Sequence, residues 1–182
     1  ERAAACLQGA STMFGIDIFR PIVARAAEVL GVTYDPAGPN GVRVRRMSDH
    51  ARTLTFTIHE NVKPGPQKQG YVIRRLLRRA VLDAYQMGRR EPFLHQLVPV
   101  VAEVMGGPYP DLRASVPRIQ TVIREEEEQF FNNLERGLRA LDDTFRATRA
   151  AGSDVIGGDA AFDLHSTHGI PVEITESLAA DH

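Results

Sequence analysis

Cysteine occurs once in the 182 residues, at Cys6, so no disulfide framework exists and a four-cysteine zinc site is excluded. A lone thiol fits a reducing, cytoplasmic compartment. Lysine is almost absent: Lys63 and Lys68 are the only two, leaving 20 of the 22 basic residues as arginine. No apolar run approaches the roughly 18 residues that a membrane helix needs, and the first residues carry no signal-peptide pattern. There is no P-loop and no Gly-x-Gly-x-x-Gly, so no stand-alone nucleotide cradle is expected. Internal repeats and low-complexity tracts are also missing. What remains is a globular composition, 43% hydrophobic and 25% charged. Its length suits one domain or two small ones.

The formal net charge of −1 hides a strong asymmetry. Residues 41–90 hold twelve basic and three acidic residues, a local balance of +9; the other residues carry −10. A polyanion-facing block inside an otherwise acidic chain is the reading this pattern supports.

The pattern is helical nearly throughout. Residues 1–8 form helix up to Gly9, and Asp17 is placed to cap a helix ending at Gly31. Ser48 or Asp49 opens a segment through Ile58, read as helix despite Thr53, Thr55 and Thr57, because no strand signal is near to pair with it. Gln67 to Met87 is a strong helix with Ile73, Leu76, Leu77, Ala80 and Ala84 on one face. Pro92 starts the next helix, which runs to Met105. Gly106–Pro110 is the expected boundary between subdomains 1–106 and 107–182. A very long helix is predicted over Val116–Arg149, roughly 50 Å at ~1.5 Å per residue. A short helix at Ala160–Leu164, a turn at His168–Pro171 and a last helix from Thr175 to Ala180 complete an all-α, multihelical chain of two helical subdomains. The first residue is not Met and sits in a mid-helix pattern, so the chain reads as a piece of something longer.

Arg74, Arg75, Arg78 and Arg79 stand at i, i+1, i+4 and i+5 and cover a ~140° arc of their helix. Guanidinium forks suit phosphate oxygens. The preceding loop adds Lys63 and Lys68, whose cations hold a backbone, and Gln67 and Gln69, whose amides read base edges. Within the helix only Asp83 offers neutralisation. Glu125-Glu126-Glu127-Glu128 point in four directions and cannot converge, so they are expected to be a solvated face with partners such as Arg124–Glu128. His165 and His168 lack a third ligand, so no metal site is expected. Asp49-His50 lacks a nucleophile, so nucleophilic catalysis is not expected. The residues alone indicate a helical RNA- or DNA-binding module without its own active site.

Several stretches together carry a family resemblance. They include Asp49-His50-Ala51-Arg52-Thr53, Gly70-Tyr71-Val72-Ile73-Arg74-Arg75-Leu76-Leu77-Arg78-Arg79, Phe93-Leu94-His95-Gln96-Leu97, Glu125–Phe130, Leu134-Glu135-Arg136-Gly137 and Gly169-Ile170-Pro171. Their order and spacing resemble the alanyl-tRNA synthetases, class II aminoacyl-tRNA synthetases, over essentially all 182 residues. The resemblance implies an ATP-dependent alanine–tRNA ligase in the full-length protein, using ATP and Mg2+. This chain would be the helical tRNA-recognition region after the catalytic domain, with the editing domain later. Arg2 resembles the motif 3 arginine that contacts ATP phosphates in the family. The resemblance implies that Arg74, Arg75, Arg78 and Arg79 hold phosphates of the tRNA acceptor stem, whose G·U wobble pair marks alanine tRNA; Lys63, Gln67, Lys68 and Gln69, read from their own chemistry, and Ser166 and His168 are the further expected contacts.

Two positions depart from the family pattern. Pro66 stands where the family has Asn, and Ser166 where it has Asp. Pro66 has neither an amide side chain nor an N–H donor, so Gln67 or Gln69, and Ser166 or His168, are the expected substitutes. The chain alone is not expected to aminoacylate, because motifs 1 and 2 are missing. The alternatives are a synthetase-like RNA-binding module without ligase function, or a helical protein-interaction bundle.

Overall fold

The computed structural model describes residues 1–170 and 172–179. Among them the proline and glycine punctuation separates eight α-helices and no strand. They are α1 (Arg2–Leu7), α2 (Arg20–Leu30), α3 (Gly41–His59), α4 (Lys68–Gln86), α5 (Val98–Met105), α6 (Leu112–Ala150), α7 (Gly158–Ser166) and α8 (Val172–Ala179). The all-α reading and the very long helix therefore stand. Pro171 and Ala180, at the edges of the expected last turn and helix, lie outside the described residues.

The chain forms two compact units, Glu1–Glu128 and Gln129–His182. They part inside α6, whereas the sequence pattern put the boundary at Gly106–Pro110. The physical reason is the first part of α6: Leu112, Ile119, Ile123, Glu126 and Glu127 are all buried, so it belongs to the first unit's packing.

In the first unit α3 and α4 run antiparallel, since Arg43 reaches Gln86 and Arg46 reaches Asp83. Met47, Leu54, Ile58, Leu77, Leu82, Phe93, Leu94 and Leu97 fill the core with essentially no exposure. The threonine run lies inside α3, with each hydroxyl donating back to the carbonyl four residues earlier: Thr53 to Asp49, Thr55 to Ala51 and Thr57 to Thr53. The helix starts at Gly41 rather than at Ser48, and Ser48 is buried with its hydroxyl on the Val44 carbonyl. Asp17 does not cap α2. Its backbone N–H donates to Gln8, its carboxylate accepts from the next N–H, and the helix begins at Arg20 with Pro21 in its first turn.

The helix expected from Pro92 is divided. A 3-10 turn, Leu94–Leu97, precedes α5. Glu127 causes the division, because its carboxylate takes the backbone N–H groups of Phe93, Leu94 and His95.

In the second unit Leu141, Phe145 and Leu164 form the core, joined by Leu138, Ile156 and Leu178. Gly137 lets the segment after α7 close on α6. A Cβ there would lie 2.5 Å from Ile170 Cδ1 and 2.7 Å from its Cγ1.

Candidate nucleic-acid interface

The loop before α4 is built by a close backbone approach. Gly65 N–H donates to the Gly70 carbonyl at 2.9 Å, and a Cβ on Gly70 would meet the Lys63 carbonyl at 2.8 Å. Only glycine fits there. Arg118 fixes the entry to this loop by donating to the Ile58 and His59 carbonyls and to Asn61 Oδ1. The result is a tight loop leading into the first turn of α4, with Lys63, Gln67, Lys68 and Gln69 all exposed. Neither lysine has an ion-pair partner among the described residues. Of the residues predicted from sequence, Lys63 and Gln67 thus lie in the loop and Lys68 and Gln69 in the first turn of α4 that follows it.

The arginines of α4 are held differently. Arg78 donates to Glu126 Oε1 through Nε at 3.0 Å and Nη2 at 2.9 Å, and Arg74 Nε lies 3.1 Å from the same oxygen. Arg79 faces Asp83 at 3.7 Å, and Arg46 of α3 faces it at 3.4 Å. Arg75 lies 5.9 Å from the Tyr71 ring centre. All four α4 arginines are half-buried. Their positive charge exceeds the two carboxylates that hold them, so the block still presents a net positive field. Burial raises the Asp83 carboxyl above the usual carboxylate range, opposed by Arg46, Arg79, Arg43 and His50.

Ser166 and His168 lie in the second unit. The Ser166 hydroxyl donates to the Phe162 carbonyl at 2.8 Å, and His168 Nε2 is 3.7 Å from Asp163 Oδ2. With Asn133, Arg136, Thr167 and Gly169 they line a polar cleft of about 300 Å³. Arg2 is exposed at the start of α1, without an ion-pair partner among the described residues.

The acidic run corrects the sequence reading. Glu125 and Glu128 are exposed, and Arg124 meets Glu128 at 2.9 Å as expected. Glu126 and Glu127 are instead buried and bind unit-one partners. Their signal was present: Ile119, Ile123, Phe130 and Leu134 leave a gap that positions 126 and 127 fill on the same stripe. Elsewhere, Asp49 has its carboxyl below the usual range through the neighbouring His50 ring and then Arg52. No group of three or more metal-ligating side chains occurs among the described residues, and no described helix is long and apolar enough to cross a membrane.

A family profile for tRNA synthetases class II (A) matches residues 1–182. The chain is 45% identical over 181 residues to an alanine–tRNA ligase of Rhodopirellula baltica, covering all of this chain and 19% of that protein. It is 41% identical over 181 residues to the Streptococcus pyogenes serotype M3 alanine–tRNA ligase, and 38% over 183 residues to that of Chlorobium phaeobacteroides, with 21% of each covered. The chain thus spans about a fifth of the length of the curated relatives it matches.

Proposed function

The chain belongs to the class II (A) tRNA synthetases, and we propose that it positions the tRNA acceptor stem for an alanine–tRNA ligase. In that reaction the alanine carboxylate attacks the α-phosphate of ATP and pyrophosphate leaves. A terminal-ribose hydroxyl of the tRNA then takes the alanyl group and releases AMP. Mg2+ would neutralise the ATP phosphates. Catalytic and editing domains in the same polypeptide would supply the chemistry; this chain supplies orientation. The reading places the protein in the cytoplasm, with tRNA as its partner.

The observation that carries this reading is the segment 63–70, the loop and the first turn of α4. It offers two ammonium groups without an ion-pair partner among the described residues, and two exposed amides, at the start of a net-positive helix. Lys63 and Lys68 hold phosphates, with Arg74, Arg75, Arg78 and Arg79 adding field behind them. Gln67 and Gln69 take base edges in place of the Asn that Pro66 replaces. Ser166 and His168 form a second polar contact. Arg2 reaches the ATP phosphates. Aminoacylation by the full-length protein of acceptor stems carrying a wobble or a Watson–Crick pair, with and without Gln67→Ala, tests it. Reduced discrimination in the variant supports Gln67 as a reader; unchanged discrimination removes it.

Pro66 and Ser166 favour one second reading, an RNA-binding relative without ligase activity. ATP–pyrophosphate exchange dependent on alanine in the full-length protein excludes that alternative.

A further inference from the structure

Arg52 sits where three elements of the first unit meet. It lies on α3, and its guanidinium forms an ion pair with the Glu1 side chain. Its other arm is 3.7 Å from Asp49 Oδ1. The face of the group lies 4.4 Å from the ring centre of Phe19, which is fully buried. Phe19 packs in turn with Ala5 of α1 and with Ile16. Arg52 is therefore fixed by a carboxylate on its own helix and by an aromatic face, and it holds a third group.

That third group starts α1. The Glu1 carbonyl accepts the Ala5 N–H at 2.9 Å, so the Glu1 backbone begins the helix while its side chain is tied to α3. The next residue is Arg2, exposed and without an ion-pair partner among the described residues. A free arginine directly beside an anchored residue has its backbone set and its fork available.

We propose that Arg52 is a positioning residue that fixes Glu1, and through it the backbone presenting Arg2 to the phosphates of ATP. The proposal rests on the reading that Arg2 meets those phosphates. Arg52 does not touch the nucleotide. It removes the freedom of the segment that does, so that the Arg2 fork is already aimed when ATP arrives. Lysine cannot replace it, because an ammonium lacks the planar fork that bridges two carboxylates while lying on a ring.

The test is ATP affinity of the full-length protein by calorimetry, with KM for ATP and for alanine from pyrophosphate exchange. Arg52→Ala and Arg52→Lys are expected to weaken ATP binding about tenfold or more, with the alanine KM unchanged. Glu1→Ala removes the same bridge from its exposed end and gives the same loss, which keeps the test intact if Arg52→Ala does not fold. Arg2→Ala weakens ATP binding, and Arg2→Ala with Arg52→Ala binds no more weakly than Arg2→Ala alone. Additive losses would mean that Arg52 acts independently of Arg2 and would overturn the proposal. Unchanged ATP affinity in folded Glu1→Ala and Arg52→Lys would do the same. Unchanged affinity in Arg2→Ala would refute the Arg2 reading itself and take the proposal with it.

Discussion

Replacing Glu127 by alanine removes one carboxylate and strands four donors. Phe93 N–H, Leu94 N–H, His95 N–H and His95 Nδ1 lie 2.9, 2.8, 3.2 and 3.0 Å from its oxygens. The acceptor is a carboxylate, so His95 carries its proton on Nδ1. Phe93 and Leu94 are fully buried, which keeps water from replacing the lost oxygens at two of the sites. A buried donor left unmade costs roughly 1–3 kcal/mol. With partial relaxation the substitution should cost about 3–6 kcal/mol, a large part of the ~5–15 kcal/mol that holds a domain together. Glu127→Gln keeps one acceptor oxygen but turns an N–H2 towards His95, and should cost about 1–3 kcal/mol. Exposed Glu125→Ala is the control and should stay within about 0.5 kcal/mol. Urea denaturation followed by circular dichroism at 222 nm measures all three. A loss for Glu127→Ala no larger than for Glu125→Ala would refute the reasoning.

Gly137→Ala gains about 1 kcal/mol of helix propensity but drives a methyl into buried Ile170, at an overpacking cost of roughly 1–3 kcal/mol. The variant should be less stable by about 1 kcal/mol, with shifted His168 resonances; a stabilised protein would contradict the close approach. Asp83 has a carboxyl raised by burial, so the folded state favours its protonated form. As pH rises from the ordinary carboxylate value through the raised folded value, the wild type should lose stability relative to Asp83→Asn. Parallel stability curves for the two proteins across that window would count against the burial of this charge.

Most of the fold is legible in the sequence because helix periodicity and glycine or proline stops are local signals. The stripe Ile119, Ile123, Phe130 and Leu134 marked α6. Tertiary choices were not local. Whether Glu126 and Glu127 face water or a partner depends on Arg74, Arg78 and the 93–95 turn, each more than thirty residues away. The same holds for the charge block. Sequence counted twelve cations over residues 41–90, but several are engaged: Arg46 and Arg79 with Asp83, Arg52 with Glu1, and Arg74 and Arg78 with Glu126. Lys63 and Lys68, by contrast, are exposed and have no ion-pair partner among the described residues. The start of α3 was missed because Ser48 and Asp49 read as its opening, whereas the helix begins at Gly41.

Affinity for an alanine acceptor stem, measured against salt, tests the central claim most directly. Wild type, Lys63→Ala with Lys68→Ala, and an Arg25→Ala control on α2 are compared from low to physiological salt. The account predicts a linear fall of log affinity with log salt in the wild type. The double loop variant should bind more weakly with a slope shallower by about 1–2, and the control should match the wild type. Equal slopes for all three proteins would contradict the assignment of the loop to the RNA backbone.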